Sequence, residues 1–197
     1  MNPSDDRAQA LLRFIQRAER LEALPRTGWL VCGVTEPESV ASHTYVVALI
    51  ALFIADHIDE DVDVEAMLRM ALLHDIAEAM LTDLPWPVKR FVGKETVADA
   101  EARAGHLITC EAHPDWPDAL ARYEAFDSLE ARIVKAADRI QMLAKSLQYD
   151  TQRRGDTRRF WTSERNFEDF GIPLVAEVLS ALRRHHDAGT WHTADFD

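Results

Sequence analysis

The chain has 197 residues with 34 acidic against 22 basic side chains, a formal charge of −12, and 47% hydrophobic content. That balance argues against duplex nucleic acid as a partner, since a polyanion rewards basic surfaces, but admits a small phosphorylated substrate, because a bound divalent cation changes the local sign. Two distant cysteines, Cys32 and Cys110, imply no disulfide framework. The start lacks the apolar run of a signal peptide, and the longest apolar run, Tyr45 to Ala55, is too short to span a bilayer. The expectation is a cytoplasmic protein that engages neither membrane nor nucleic acid.

With only 7 Gly and 8 Pro, and Ala, Leu, Glu and Arg frequent, the sequence reads as all-α, one compact domain over residues 1–197. Asp5 or Asp6 is placed to cap a first helix reaching about Leu21, with Leu11, Leu12, Phe14, Ile15 and Ala18 as its buried stripe. Leu24-Pro-Arg-Thr-Gly-Trp29 reads as turn chemistry bearing an exposed basic and aromatic pair, Arg26 and Trp29, and residues 33–38 continue as loop. A second helix opens at Pro37 to Ser39 and runs through His57, with Val40, His43, Val47, Ile50 and Ile54 at helical spacing.

A third helix starts near Val64, carries Met67, Met70, Ala71, His74 and Asp75, and stops at Thr82-Asp-Leu-Pro85. Trp86 to Val92 is a short apolar segment, Glu95 to Glu111 a helix, residues 113–117 a turn, and Asp118 to Phe126 a short helix. Ser128 caps a long helix from Leu129 to about Asp150, with Lys135 and Asp138 among its apolar residues. Arg153 to Arg159 is a basic loop, and a C-terminal helical extension spans residues 160–188, ending in a helix from Ile172 to His186.

The chemistry concentrates in Met70 to Asp83. His74 and Asp75 sit side by side in an apolar helical run, and Glu78 follows at offsets of four and three, which a helix places on one face. Burying such groups is costly unless they pair or ligate a metal. Each alone has a plain explanation: His43 as a hydrogen-bonded core histidine, Asp138 paired with Lys135, Glu78 as an orienting partner of a ligand histidine, Arg26 in a surface ion pair. Together, His43, His74, Asp75 and Asp138 form a mixed nitrogen and oxygen set on helices expected to pack together. The set suits one divalent ion from among Mn, Fe, Co, Ni, Zn and Mg, with room in an octahedral shell for water and a phosphate oxygen.

The order His43, His74-Asp75, Asp138 resembles the HD-domain metal-dependent phosphohydrolase superfamily. Leu24-Pro-Arg-Thr-Gly-Trp29, Pro37-Glu-Ser-Val-Ala-Ser-His43, Leu72-Leu-His-Asp-Ile-Ala-Glu78, Thr82-Asp-Leu-Pro85 and Lys135-Ala-Ala-Asp-Arg139 extend the likeness to its 5′-deoxynucleotidase branch over about residues 8–150. The resemblance implies a helical bundle, a single divalent metal on those four ligands, a homodimer, and hydrolysis of deoxyribonucleoside 5′-monophosphates to nucleoside and phosphate. It also implies roles. Glu78 would orient or deprotonate the attacking water, Asp83 contact the sugar 3′-hydroxyl or assist proton transfer, Arg26 hold the phosphate, and Trp29 pack near the sugar. In bacterial members the arginine and tryptophan are adjacent, whereas Thr27 and Gly28 separate them here.

The same metal set serves other leaving groups, so a phosphodiesterase, or a hydrolase of another small phosphate or pyrophosphate, is a rival reading. A di-iron oxygenase drawing on His106 or His113, and a non-catalytic nucleotide sensor, are two more.

Overall fold

A computed structural model describes residues 3–191, with side chains from Asp6 onward. Eleven α-helices and one 3-10 turn follow in order: α1 Pro3–Ala23, α2 Thr27–Val31, α3 Val40–Asp56, α4 Val64–Leu73, α5 Glu78–Leu81, α6 Trp86–Val92, α7 Lys94–Ala112, α8 Trp116–Ala125, α9 Leu129–Thr151, α10 Arg158–Thr162, the 3-10 turn Glu164–Phe167, and α11 Pro173–Ala188. The all-α expectation is met. The described residues contain no strand, only an isolated antiparallel bridge between Pro25 and Ser39.

The centre of the molecule is the packing of α3, α4 and α9. Helix α9 allows it because its inward face is built from small and branched residues, with Ala131, Ile133, Ala136, Ala137 and Leu143 all fully buried. Alanine on that face lets neighbouring backbones approach closely. Met67 and Met70 of α4 and Val47 and Ala51 of α3 fill the same core. Side-chain caps start all three helices. Ser39 accepts from the Ser42 amide, Asp63 from the Ala66 amide and Ser128 from the Ala131 amide. Val175, Leu179 and Leu182 bring α11 into that core.

Four expectations are corrected. The first helix begins at Pro3, so Asp6 lies inside it rather than capping it. Its expected buried stripe is also largely outside, with Leu11 58% and Leu12 51% exposed and Ile15 exposed as well. The helix docks through its second half instead. Phe14 sets its ring edge against Trp116 at 5.1 Å, Arg17 pairs with Glu111, and Leu21 is buried. The run through Thr82 is not one helix. After Leu73 the backbone tightens into i to i+3 hydrogen bonds, Ile76 to Leu73 and Glu78 to Asp75, before α5 resumes. Trp116 and Pro117 belong to α8, since proline fits the first turn of a helix, where its missing N–H is not needed. Trp29, expected at the surface, is 3% exposed.

Candidate functional site

The interruption between α4 and α5 creates the site. His74 closes α4 in helical conformation, and the tight turn that follows brings Asp75 and Glu78 to the same region as His43 from α3 and Asp138 from α9. One nitrogen each from His43 and His74 and one oxygen from Asp75 lie within 4.8 Å of one another. Asp138 joins at one edge, its Oδ1 3.3 Å from His43 Nε2.

The tautomers can be read from the partners. The Nδ1 of His74 lies 2.8 Å from the Ala71 carbonyl oxygen, which can only accept, so Nδ1 carries the proton. The Nδ1 of His43 lies 2.7 Å from Gln141 Oε1, and the Gln141 amide is oriented by its own donation to Glu38 Oε2 at 2.7 Å. When neutral, both imidazoles carry lone pairs on Nε2; burial opposes the charged form of His74, but Asp75 and Asp138 outweigh it and raise its pKa. Both Nε2 atoms are buried and neither has a hydrogen-bond partner. Carboxylate oxygens stand only 3.3 Å from each, His74 Nε2 facing Asp75 and His43 Nε2 facing Asp138. With both imidazoles neutral, as ligation requires, lone pairs and carboxylates converge, and a proton or a metal cation between them relieves the repulsion. The donor set therefore fits a divalent metal. Each imidazole is held from its far nitrogen, the arrangement that keeps a ligand histidine in register.

Arg26 reaches this cluster from the loop before α2. Its Nη1 donates to Asp75 Oδ2 at 2.8 Å and stands 3.7 Å from Glu78 Oε1. The loop is pinned alongside the start of α3 by two backbone bonds, Arg26 N–H to the Glu38 carbonyl and Val40 N–H to the Leu24 carbonyl, both 2.9 Å. Burial alone would lower the Arg26 pKa, but Asp75, Glu78, Asp138 and Asp83 outweigh it and hold the guanidinium firmly charged.

The carboxylates divide. Burial pushes Asp75 up, yet His74 and Arg26 pull it well below the usual range. Asp138 is likewise held down by His43 against the effect of burial. Burial and the negative charge of Asp75 push Glu78 up to about 9. Its Oε2 is buried without a partner.

Asp83 follows a strained residue. Thr82 sits at φ 63°, ψ 165°, a region that glycine alone occupies easily. That turn delivers Asp83 to α2, where Oδ2 accepts from the Thr27 amide at 2.6 Å and the Asp83 carbonyl from the Thr27 hydroxyl at 2.8 Å. Trp29 is a packed wall. Its indole N–H donates to Glu38 Oε1 at 3.0 Å, and its ring meets Phe160 and Tyr149.

A cavity of about 240 Å³ reaches the cluster itself, lined by His74, Asp75, Glu78 and Lys89, and a second of about 330 Å³, bounded by Arg26, Asp83, Trp29, Trp86 and α10, joins the cluster through the contact of Arg26 with Asp75. Arg26, Lys89, Arg139 and Arg159 line the second, with Asp83 the only acidic residue in its wall. A basic hollow in a chain of net charge −12 draws anions toward Arg26, which joins it to the cluster. Arg159 belongs to the basic loop noted in the sequence, whereas Lys89, Glu38 and Gln141 do not stand out there. The signal for Gln141 was its position three residues after Asp138 on the same helix face, and for Lys89 its place in the turn after Pro85.

Other candidates fall away from the cluster. His106 lines a separate apolar groove between α7 and α8, His113 pairs at the surface with Asp115, and Lys135, the simple partner considered for Asp138, sits over the Tyr123 ring at 3.6 Å. Within the basic loop, Arg158 is committed to Asp156 and Arg154 to the Thr35 and Glu36 carbonyls. His185 bonds the Thr190 hydroxyl and His186 stacks on Trp161, while His192 lies outside the described residues.

An all-helical bundle with imidazole and carboxylate donors gathered from three of its helices defines a class, the α-helical proteins built around an internal candidate metal centre. Within that class, the HD domain pattern matches residues 18–169, and the chain belongs to the HD-domain family. It is 29% identical to the 5′-deoxynucleotidase HDDC2 of Danio rerio, over 95% of this chain and 95% of that protein. Identity to the protein of the same name in Xenopus laevis is 28%, over 88% of this chain and 86% of that one. Among solved structures, a conserved hypothetical protein from Pyrococcus furiosus is similar, at 33% identity and a TM-score of 0.77, covering 88% of this chain and 99% of that one.

Proposed function

We propose that the chain is a metal-dependent phosphomonoesterase that hydrolyses deoxyribonucleoside and ribonucleoside 5′-monophosphates to nucleoside and phosphate. The observation that carries the reading is two unpartnered imidazole nitrogens and a carboxylate converging at one centre, with Arg26 joining them to a basic cavity. The activity for which the Danio rerio and Xenopus laevis relatives are named supports the substrate class.

His43, His74, Asp75 and Asp138 would hold one divalent ion. When bound, such an ion polarises a phosphoryl oxygen, acidifies water and offsets the charge of Asp75 that raises Glu78. The protein does the rest. Arg26, oriented by Asp75, neutralises charge developing on the phosphoryl oxygens, and its planar fork suits two of them. Lys89 and Arg139 add to the field that draws the anion in. Glu78, one turn beyond Asp75 with Oε2 free, takes the proton of the attacking water. Asp83 faces the sugar from the cavity wall and assists proton transfer to the leaving oxygen. Trp29, fixed by Glu38, bounds the space beside the sugar.

We read the molecule as a single domain over residues 1–197, and as a cytoplasmic homodimer without nucleic-acid or membrane partners. No helix among the described residues is long and apolar enough to cross a membrane. The apolar side of α11 is spent in the core. An exposed stripe on α3, Tyr45, Leu49 and Phe53, is the better support for a dimer. Sedimentation of the wild type against Leu49→Glu tests it, with a monomeric wild type overturning the dimer.

The deciding experiment is phosphate release from all deoxy- and ribonucleoside 5′-monophosphates with Mn, Co, Mg, Ni, Fe and Zn in turn. Release from the monophosphates is expected. Faster cleavage of a phosphodiester, or full activity in Glu78→Ala, would overturn the reading.

A further inference from the structure

The wall of the 330 Å³ cavity has two chemistries. One part, Arg26, Asp83 and Lys89, belongs with the candidate metal cluster. The other comes from α6 and α10 and is planar. The Arg159 guanidinium lies over the Trp86 ring at 3.9 Å, and Phe160 follows Arg159 in sequence. A phosphate group makes no use of the flat ring faces of this second part.

Arg159 is the informative residue. Arg154 and Arg158, its neighbours in the basic run, are committed to carbonyls and to Asp156. Among the described residues no carboxylate lies within ion-pair distance of Arg159. In so acidic a protein it stacks on an indole instead, and Trp86 remains 43% exposed with the guanidinium on it. Stacking leaves the guanidinium's second face and part of the indole available to another flat group.

The platform is also held in place. The Asn166 amide donates to the Phe160 carbonyl at 2.8 Å, and Phe160 packs on the buried Trp29 with ring centroids 4.6 Å apart. Ahead of α10, the Asp156 amide donates to the Cys32 carbonyl at 2.8 Å. Gly155 passes so near Cys32 that a Cβ would stand 2.6 Å from the same carbonyl oxygen, which only glycine permits.

We propose that Trp86, Arg159 and Phe160 form a stacking platform for the substrate's nucleobase, so that this protein selects nucleotides over plain sugar phosphates. The inference rests on the reading of the chain as a nucleotide hydrolase and adds the subsite that reads the base. Every base has a π-face, so the platform accepts all four, with purines ahead of pyrimidines by ring area. A base stacked on such side chains gains about 5- to 100-fold in binding.

The test compares kcat/KM for dAMP, dTMP and 2-deoxyribose 5-phosphate in wild type, Trp86→Leu and Arg159→Ala. The wild type is expected to favour dAMP over the abasic sugar phosphate by at least tenfold, and dAMP over dTMP by a few-fold. Each variant lowers the dAMP to sugar-phosphate ratio about tenfold, chiefly through KM. Equal losses on both substrates would make Arg159 a phosphate grip and overturn the platform. Calorimetric titration with 2′-deoxyadenosine reads the subsite without turnover. Binding about tenfold weaker in both variants supports it, and unchanged binding overturns it. No phosphate release from any substrate would sink the hydrolase reading, while the calorimetric arm still judges the platform.

Discussion

His43 and His74 present the same atom to the same centre, but they are fixed in opposite ways. His74 is held by its own helix, through a carbonyl three residues back at Ala71. His43 is held by a relay of side chains from distant segments. Gln141 of α9 takes its Nδ1 proton, Glu38 holds Gln141, and the Trp29 indole and Lys145 hold Glu38. The Glu38 amide in turn donates to the Tyr149 hydroxyl at 2.8 Å. The first histidine is placed by local backbone and tolerates side-chain change around it. The second depends on five residues from two stretches of chain, Trp29 and Glu38 before α3 and Gln141, Lys145 and Tyr149 on α9, so its precision is exposed to mutation at each of them.

The comparison breaks most sharply at the imidazoles themselves. His43→Ala and His74→Ala should both abolish metal binding and lower kcat by three orders of magnitude or more. A clear difference between the two would show that only one is a ligand, and metal content per chain checks it. Gln141→Leu comes next. It removes the proton acceptor of His43 alone and should weaken metal affinity about 10- to 100-fold, while no side-chain substitution does the same to His74. Metal titration at fixed pH gives the answer, and unchanged affinity would mean the relay is structural.

A smaller effect separates the charge of the centre from its geometry. In the metal-stripped protein the Glu78 carboxyl is raised to about 9 by burial and Asp75. Its stability contribution is therefore full below the unfolded value near 4.5 and is lost as pH rises toward 9. Glu78→Gln should then melt above wild type at pH 8, with the gap closing toward pH 5. A gap that grows on acidification would contradict this. Tyr149→Phe, at the outer end of the relay, should change metal affinity by no more than a few-fold.

The same contrast governs what was legible in the sequence. His74, Asp75 and Glu78 stand out because polar groups in an apolar helical run are costly and their spacing is local. His43 and Asp138 follow from residue type on helices expected to pack. Gln141 and Glu38 do not stand out, because a buried amide and a loop carboxylate acquire meaning only once α3 and α9 are in contact. Trp29 was misplaced for a similar reason. A tryptophan after Pro, Thr and Gly reads as surface until Tyr149 and Phe160 close over it. The stripe on α1 erred the other way, since periodicity shows that a helix has an apolar face but not that a neighbour covers its whole length.

Thr82 sets a ceiling on heat resistance. A threonine at φ 63°, ψ 165° costs about 1–3 kcal/mol that glycine would not, and the turn it makes aims Asp83 at α2. Thr82→Gly should raise stability by about 1 kcal/mol, once the greater freedom of unfolded glycine is set against the relieved strain. It should also loosen Asp83 and slow turnover. Selection for a hardier protein would meet this position early and find that each degree gained there is taken from catalysis.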